Sequence, residues 1–248
     1  MAAAVPLPHR VHVLGRKEDL DTVRLRGKVA LVLDVLFATS TIVAAVAHGA
    51  IAVIPAPDEA AARAEGARHA PGSFVLAGEL YAETLPGFAP PTPLALLEHG
   101  VAARTVIYST TNGTIALNGA AGAEDVYAAA LLNGRAVVEH VLATHRDRTI
   151  LIVCAGSMGN FNLEDFYGAG YLVDLIAERL GERTDFSDAA RAARALYRSG
   201  EPHATLRDCR VGRMMAARGL EREIEYAAQR STLAVVPRLD GARRIVAL

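Results

Sequence analysis

The chain has no tryptophan, only two cysteines in 248 residues, and an aromatic share of 5%. Cys154 and Cys209 lie far apart and suggest no disulfide framework, which excludes the small disulfide-stapled class. No uninterrupted apolar run reaches the about 18 residues that a membrane-crossing helix needs. Met1–Arg10 lacks an apolar core of adequate length for a secretory leader. The expected location is therefore cytoplasmic, with no membrane partner. Surplus charge is missing as well: 26 Lys and Arg stand against 27 Asp and Glu, a formal net charge of −1. No global field recruits nucleic acid or an anionic membrane. Internal repeats, low-complexity tracts and clean linkers are also absent.

What is present is apolar substance, at 52% of residues, ample for a sizeable core. The length permits one large α/β domain or two small ones. Without a linker the chain is read as a single domain over 1–248. Strands are expected at Val11–Leu14, Val29–Asp34, Ile51–Ile54, Phe74–Ala77, Thr105–Tyr108, Val126–Ala128, Ile150–Cys154, Leu233–Val236 and Arg244–Ala247. Helices are expected at Thr39–His48, Pro57–Ala70, Gly113–Ala121, Gly134–Thr144, Leu163–Leu180, Ser187–Tyr197, Pro202–Arg218 and Glu221–Gln229. Such alternation predicts an α/β protein, a three-layer α/β/α domain with a largely parallel sheet. The last two strands, joined through Asp240-Gly241, predict a hairpin, which makes the sheet mixed. Four prolines in Pro86–Pro93 predict a stiff surface loop, either a lid over the strand ends or a plain connector.

Three strand ends carry polar residues. Tyr108-Ser109-Thr110-Thr111-Asn112-Gly113-Thr114 is a hydroxyl-rich turn between a strand and a small-residue helix. Such a turn is where an α/β protein holds an anion, through backbone N–H groups, hydroxyls and the helix dipole. Asn and Gly also serve φ > 0, and Thr also caps, so a plain turn is the competing reading. Val29–Leu33 runs into Asp34 and then Thr39-Ser40-Thr41. An aspartate there stands where open α/β sheets bind ligands, unless it only caps the turn. Thr149–Cys154 ends in a loop through Gly156 and Ser157, and a helix opens at Leu163-Glu164-Asp165 with Asn162 as candidate N-cap. These acids either complement the helix dipole or, beside Asp34, form a hard-cation site suited to Mg2+.

Familiar catalytic templates fail. A tyrosine-phosphatase loop needs Arg six residues after Cys154, where Asn160 stands, so Cys154 reads as a packed thiol. An aspartyl-phosphate enzyme wants a second Asp where Leu36 stands. No Gly-x-Ser-x-Gly elbow supports Ser157, no phosphate-loop or dinucleotide glycine run is present, and the histidines show no metal-ligand spacing. Arg191, Arg194 and Arg198 fall on one helical side and read as a solvated cationic face. Alternatively an arginine of the 187–218 region, with Arg207 and Arg213 as candidates, reaches the active site.

Asp34-Val35-Leu36-Phe37-Ala38-Thr39-Ser40-Thr41, Gly78-Glu79, Gly87-Phe88, Thr110-Thr111-Asn112-Gly113-Thr114, Cys154-Ala155-Gly156, Leu163-Glu164-Asp165 and Val235-Val236-Pro237 follow in an order that resembles the 2-phosphosulfolactate phosphatase family. The resemblance covers nearly the whole chain. It departs at Phe37 and Leu80, where the family pattern has arginine, and at Ala89-Pro90-Pro91-Thr92-Pro93, where that pattern has an aspartate and an Asn-Ser-Pro element.

With the strand ends, the resemblance implies a Mg2+-dependent phosphomonoester hydrolase acting on a small phosphorylated, or sulfonated, hydroxy acid. Asp34, Glu79, Glu164 and Asp165 are the expected metal ligands. Asp34, Thr110, Thr111, Asn112 and Glu164 are the expected catalytic residues, and Thr39, Ser40, Gly113, Thr114 and Gly156 the expected substrate-binding ones. The expected partner is a small anionic phosphorylated metabolite, and the chain is a candidate homodimer. The alternatives are a repurposed member that binds a small anionic metabolite or a partner enzyme without hydrolysis, and a lyase or isomerase on a related acid. Losing two arginines turns part of an anion clamp into apolar wall.

Overall fold

The computed structural model describes residues 10–181 and 184–248. All of Met1–Arg10 but its last residue therefore lies outside the described residues. The first half of the chain carries strands β1 Arg10–Leu14, β2 Lys28–Leu33, β3 Ala52–Ala56, β4 Phe74–Leu80, β5 Glu83–Thr84 and β6 Thr105–Ser109. Between and after them run helices α1 Ala38–Ala47, α2 Glu59–Gly66, α3 Pro93–His99 and α4 Gly113–Gly119. The second half adds β7 Asp125–Ala129, α5 Gly134–Thr144, β8 Thr149–Cys154, α6 Leu163–Leu180 and β9 Asp185–Phe186. It closes with α7 Asp188–Ser199, α8 Pro202–Asp208, α9 Arg210–Ala217, α10 Glu221–Ala227 and the hairpin β10 Pro237–Leu239 and β11 Ile245–Ala247.

One mixed sheet takes the order β5-β4-β6-β3-β11-β10-β7-β2-β8-β1-β9, in a three-layer α/β/α arrangement. β4, β6 and β3 form one parallel block. β7, β2, β8, β1 and β9 form another. The β10–β11 hairpin joins them through three antiparallel junctions. Three reversals make the blocks run in opposite senses, so on a flat sheet their carboxyl ends would lie at opposite edges. Instead, both blocks pack on α1 and α4 in one core containing Val32 and Val153 from one block and Val75 and Val106 from the other. The sheet thus bends around these two helices, and both sets of strand ends converge.

The central strands are apolar throughout because both faces are covered. In β2, Val29, Leu31 and Leu33 enter the core beneath α5 and α6, while Ala30 and Val32 enter the α1/α4 core. Fully burying a Val or Leu side chain contributes roughly 1.5–3 kcal/mol.

Four expectations need correction. Leu233–Val236 is not a strand; the hairpin is real, but its first strand is β10, pairing Pro237 with Ala247. The preceding segment is held by backbone bonds such as Leu233 N–H to Leu132 O at 2.9 Å, which takes it off the ladder. The proline-rich loop is neither lid nor surface loop: Phe88, Ala89 and Thr92 are buried, Ala89 N–H donates to Leu76 O at 2.7 Å, and α3 follows unannounced. Pro202–Arg218 breaks at Cys209, whose extended backbone ends α8 and whose Sγ accepts from Gly212 N–H at 3.2 Å to cap α9. A Cβ on Gly212 would stand 1.8 Å from Leu206 O, so the two helices can meet only at glycine. Finally, Arg194 and Arg198 both donate to Asp174 of α6 at 2.8 Å, so that face is a helix–helix clamp, not merely a solvated one.

Candidate active site

A cavity of about 220 Å³ opens where the two blocks converge. Asp34 arrives from the end of β2, Glu79 from β4, Thr111 and Asn112 from the turn after β6, Gly156 from the turn after β8, and Glu164 from α6. Six of the expected catalytic, substrate-binding and metal residues are thus brought together. Thr39, Ser40, Thr110, Gly113, Thr114 and Asp165 stand behind or beside the cavity and do not line it.

Most of the expected binding hydroxyls are engaged with the protein. Thr39 Oγ1 accepts from Asp34 N–H at 2.9 Å and lies 3.1 Å from Asp34 O, bracing the strand end. Ser40 Oγ donates to Val35 O at 2.5 Å. Thr110 and Thr114 satisfy one another: Thr114 Oγ1 accepts from Thr110 N–H, and Thr110 Oγ1 accepts from Thr114 N–H, each at 3.1 Å. Thr111 Oγ1 donates to Glu79 Oε2 at 2.9 Å and accepts from Tyr81 N–H at 3.1 Å. Gly113 serves by lacking a side chain, since a Cβ there would lie 2.4 Å from Asp34 Oδ2.

Two of the acids are also committed. Glu79 Oε1 accepts from Thr111 N–H and Oε2 from Ala82 N–H, each at 2.6 Å. Together with Thr111 it holds the β4–β5 turn, in which Tyr81 and Ala82 both adopt positive φ (54° and 62°) without being glycine. A non-glycine residue in this region costs of order 1 kcal/mol, so the turn depends on those partners. Asp165 Oδ1 accepts from Val35 N–H at 2.9 Å and Oδ2 from Gly156 N–H at 3.1 Å, tying the ends of β2 and β8. Asn162 sits at the N-cap position of α6 but makes no cap bond; its Oδ1 accepts from Arg210 Nη2 at 3.2 Å.

Asp34 and Glu164 remain as carboxylates short of protein donors. Burial, then the neighbouring Glu79 and Glu164 charges, push Asp34 up to about 7, against the pull of Ala38 N–H and Lys17. Burial raises Glu164 too, opposed by its own N–H, the Cys209 thiol and Arg210. Asp165 is raised well above its ordinary value by burial, then by Asp34 and Glu164. Cys154 is fully buried and its thiol is pushed well up, as befits a packed strand end.

The expected set of four metal ligands is not assembled as a set: among the described residues, no group of three or more His, Cys, Asp or Glu is arranged to hold a metal ion. The remaining donor chemistry does fit Mg2+, which keeps several waters and takes one or two carboxylates plus substrate oxygens. Asp34 and Glu164 are the pair that fits.

Sequence reasoning missed several residues at this cavity. An arginine of the 187–218 region does line the cavity, but it is Arg210 and neither of the named candidates, Arg207 and Arg213; among the described residues its guanidinium hydrogen-bonds to Asn162. Only the break at Cys209, invisible in a continuous helical pattern, turns it there. Val211 and Met214, also missed, join Phe37, which the sequence had marked, in an apolar wall. Tyr81 and Met158 overhang from two tight turns; Met158 (φ 51°) and Gly159 (φ 73°) form the second, closed by paired Ser157–Asn160 backbone bonds of 2.9 Å. Lys17 reaches Asn112 from the β1–β2 connection, with no local signal to mark it.

Residues 15–242 match the family described as 2-phosphosulpholactate phosphatase. The chain belongs to that family. Curated members similar to it include a probable 2-phosphosulfolactate phosphatase of Deinococcus radiodurans, 41% identical over 216 residues, covering 85% of this chain and 87% of the relative. One from Symbiobacterium thermophilum is 37% identical over 219 residues, 86% and 91% of the two chains. One from Clostridium tetani is 28% identical over 230 residues, 92% and 96%. Of the two positions where the resemblance led arginine to be expected, Phe37 lines the cavity, while Leu80 is 51% exposed beside a neighbouring depression that also contains Thr110. Among the described residues no helix is long and apolar enough to cross a membrane.

Proposed function

We propose that this chain is a metal-assisted phosphomonoester hydrolase acting on a small phosphorylated hydroxy acid. Its phosphatase character follows from the family; the observation that carries the rest is the asymmetry of the cavity. Two under-partnered carboxylates, Asp34 and Glu164, stand with an amide donor, Asn112, and a cation, Arg210. That combination suits a phosphoryl group bridged to a cation on one side and hydrogen-bonded on the other.

Asp34 and Glu164 would hold Mg2+, which when bound takes up phosphoryl charge and lowers the pKa of an attacking water. Asn112 Nδ2 donates to a phosphoryl oxygen. Arg210 pairs with the carboxylate of the acid, using the guanidinium N–H groups that Asn162 leaves over. Phe37, Val211 and Met214 exclude water beside the substrate carbon skeleton. The curated relatives are named for 2-phosphosulfolactate, a triply acidic substrate. With Phe37 lining the wall and Arg210 the one lining cation among the described residues, this member favours an acid with fewer anionic groups, or with an apolar portion that packs on Phe37.

A panel of phosphomonoesters assayed with Mg2+ and with EDTA tests this reading. Expected is phosphate release with Mg2+ that EDTA abolishes and Mg2+ restores. No release from any member of the panel, or full activity in EDTA, overturns it.

A further inference from the structure

We infer that Lys17 is a positioning residue: it holds the Asn112 carbonyl and so dictates that the Asn112 NH2 is turned toward the anion. The inference rests on the proposed reading that the cavity takes a phosphorylated ligand. Lys17 lies on the connection between β1 and β2, and its side chain is 12% exposed. Its Nζ donates to Asn112 Oδ1 at 2.9 Å and to Ala155 O at 3.3 Å, and pairs with Glu18 at 2.8 Å. Met158 N–H donates to the same Asn112 Oδ1 at 3.3 Å. A lysine side chain engaged with two oxygens and a backbone N–H here act as donors alone, so the Asn112 atom between them must be oxygen. The chemistry of the partners thus settles the amide orientation, which heavy-atom positions by themselves leave open.

The consequence falls on Nδ2. With Oδ1 doubly engaged and no acceptor on the nitrogen among the described residues, the two N–H donors of Asn112 are what this side chain offers the cavity. They matter more because the hydroxyls of Thr110, Thr111 and Thr114 are held elsewhere. A flipped amide would set NH2 against two donors and present a carbonyl to an anion. Lys17 prevents this from outside the cavity lining, and the Asn112 oxygen it shares with Met158 N–H joins three connections, β1–β2, β6–α4 and β8–α6.

The test follows the side-chain amide of Asn112 in 15N–1H spectra as inorganic phosphate is added, alongside kcat, KM and thermal stability. The signal is assigned by its absence in Asn112→Asp. In the wild type the Asn112 NH2 signal should move on phosphate binding. In Lys17→Met that movement should shrink, and kcat should fall on the order of tenfold, less than the about hundredfold typical of removing an oxyanion donor itself, with a smaller change in KM. Lys17→Arg should restore most of kcat, because a guanidinium donates to the same oxygen; a merely structural role predicts no such rescue of turnover. Asn112→Asp should keep or raise thermal stability, since Lys17 gains an ionic partner, yet lose phosphate binding. A wild-type signal indifferent to phosphate, a Lys17→Met protein with unchanged movement and kcat, or undiminished phosphate affinity in Asn112→Asp would each overturn the inference. Should Lys17→Met fail to fold, the other two variants decide. A protein that hydrolyses nothing but whose Asn112 signal moves with phosphate in a Lys17-dependent way would refute the hydrolase reading and uphold this one.

Discussion

Glu223 and Asp34 are carboxylates exposed by only 5% and 9%, and their surroundings are opposite. Glu223 reaches from α10 to the start of α3. There Oε1 accepts from Thr92 Oγ1 at 2.8 Å and Ala95 N–H at 2.9 Å, and Oε2 accepts from Leu94 N–H at 2.8 Å. It caps a helix it does not belong to, with the helix dipole in its favour. Asp34 is as hidden, but faces Glu79 and Glu164, and its pKa rises where donors would have lowered it. Where a buried charge is fully partnered, it holds the fold together. Where it is left short beside like charges in a cavity, stability has been given up for something that binds there.

Asp34→Asn should break the contrast most sharply. Turnover with Mg2+ should fall on the order of 10³–10⁴-fold. Stability should move the other way. The folded-state pKa, about 7, lies above the unfolded value of 3.8, so the folded state binds the extra proton. Its contribution is fully present below the unfolded value and is lost as pH rises through about 7. Melting curves in EDTA should therefore show the variant level with wild type only below about pH 3.8, increasingly the more stable of the two as pH rises towards about 7, and most clearly so near pH 8. A variant that is less stable at pH 8 would remove Asp34 from the strained class.

Glu223→Ala is the counterpart. It strands three donors and should cost about 3 kcal/mol, or roughly 6–12 °C in Tm for a chain of this size. The kcat should stay unchanged. A large loss of turnover at a temperature where the variant is folded would erase the distinction between the two carboxylates.

Thr111→Val lies between them, because Thr111 braces Glu79 and the Tyr81 turn at the edge of the cavity. Losing that hydroxyl should cost about 1–2 kcal/mol of stability and about tenfold in kcat through the displaced turn. A crystal structure of the variant with an undisturbed turn would instead make the hydroxyl a direct ligand of substrate.

Phe37→Arg should have the smallest effect. It should shift the ratio of kcat/KM for phosphosulfolactate over a plain 2-phospho acid upward by about tenfold, the value of one charge-assisted contact. If the native protein already prefers phosphosulfolactate, Arg210 and other cations supply the clamp, and Phe37 does not set specificity.

Much of the fold was legible because its signals are local. Val29–Leu33 and Ile150–Val153 are apolar runs that only a doubly covered strand needs, and Gly113 and Gly156 mark the turns that follow. The same locality hides long-range partners. The hydroxyls after β6 read as anion ligands, yet a hydroxyl takes the nearest competent acceptor, and for Thr111 that is Glu79, 32 residues away. Asp165 read as a metal ligand, yet its partner Val35 lies 130 residues away.

By itself, then, the sequence determined the layered α/β architecture, the three polar strand ends and the family, since all three are carried by short patterns of apolar period, glycine and acid. The tertiary structure decided which polar atoms remain for a ligand. Bending the sheet around α1 and α4 let distant donors and acceptors satisfy one another. It left Asp34, Glu164, the Asn112 NH2 and Arg210 short of partners, because hydrogen-bond satisfaction depends on three-dimensional neighbours that no stretch of chain specifies alone.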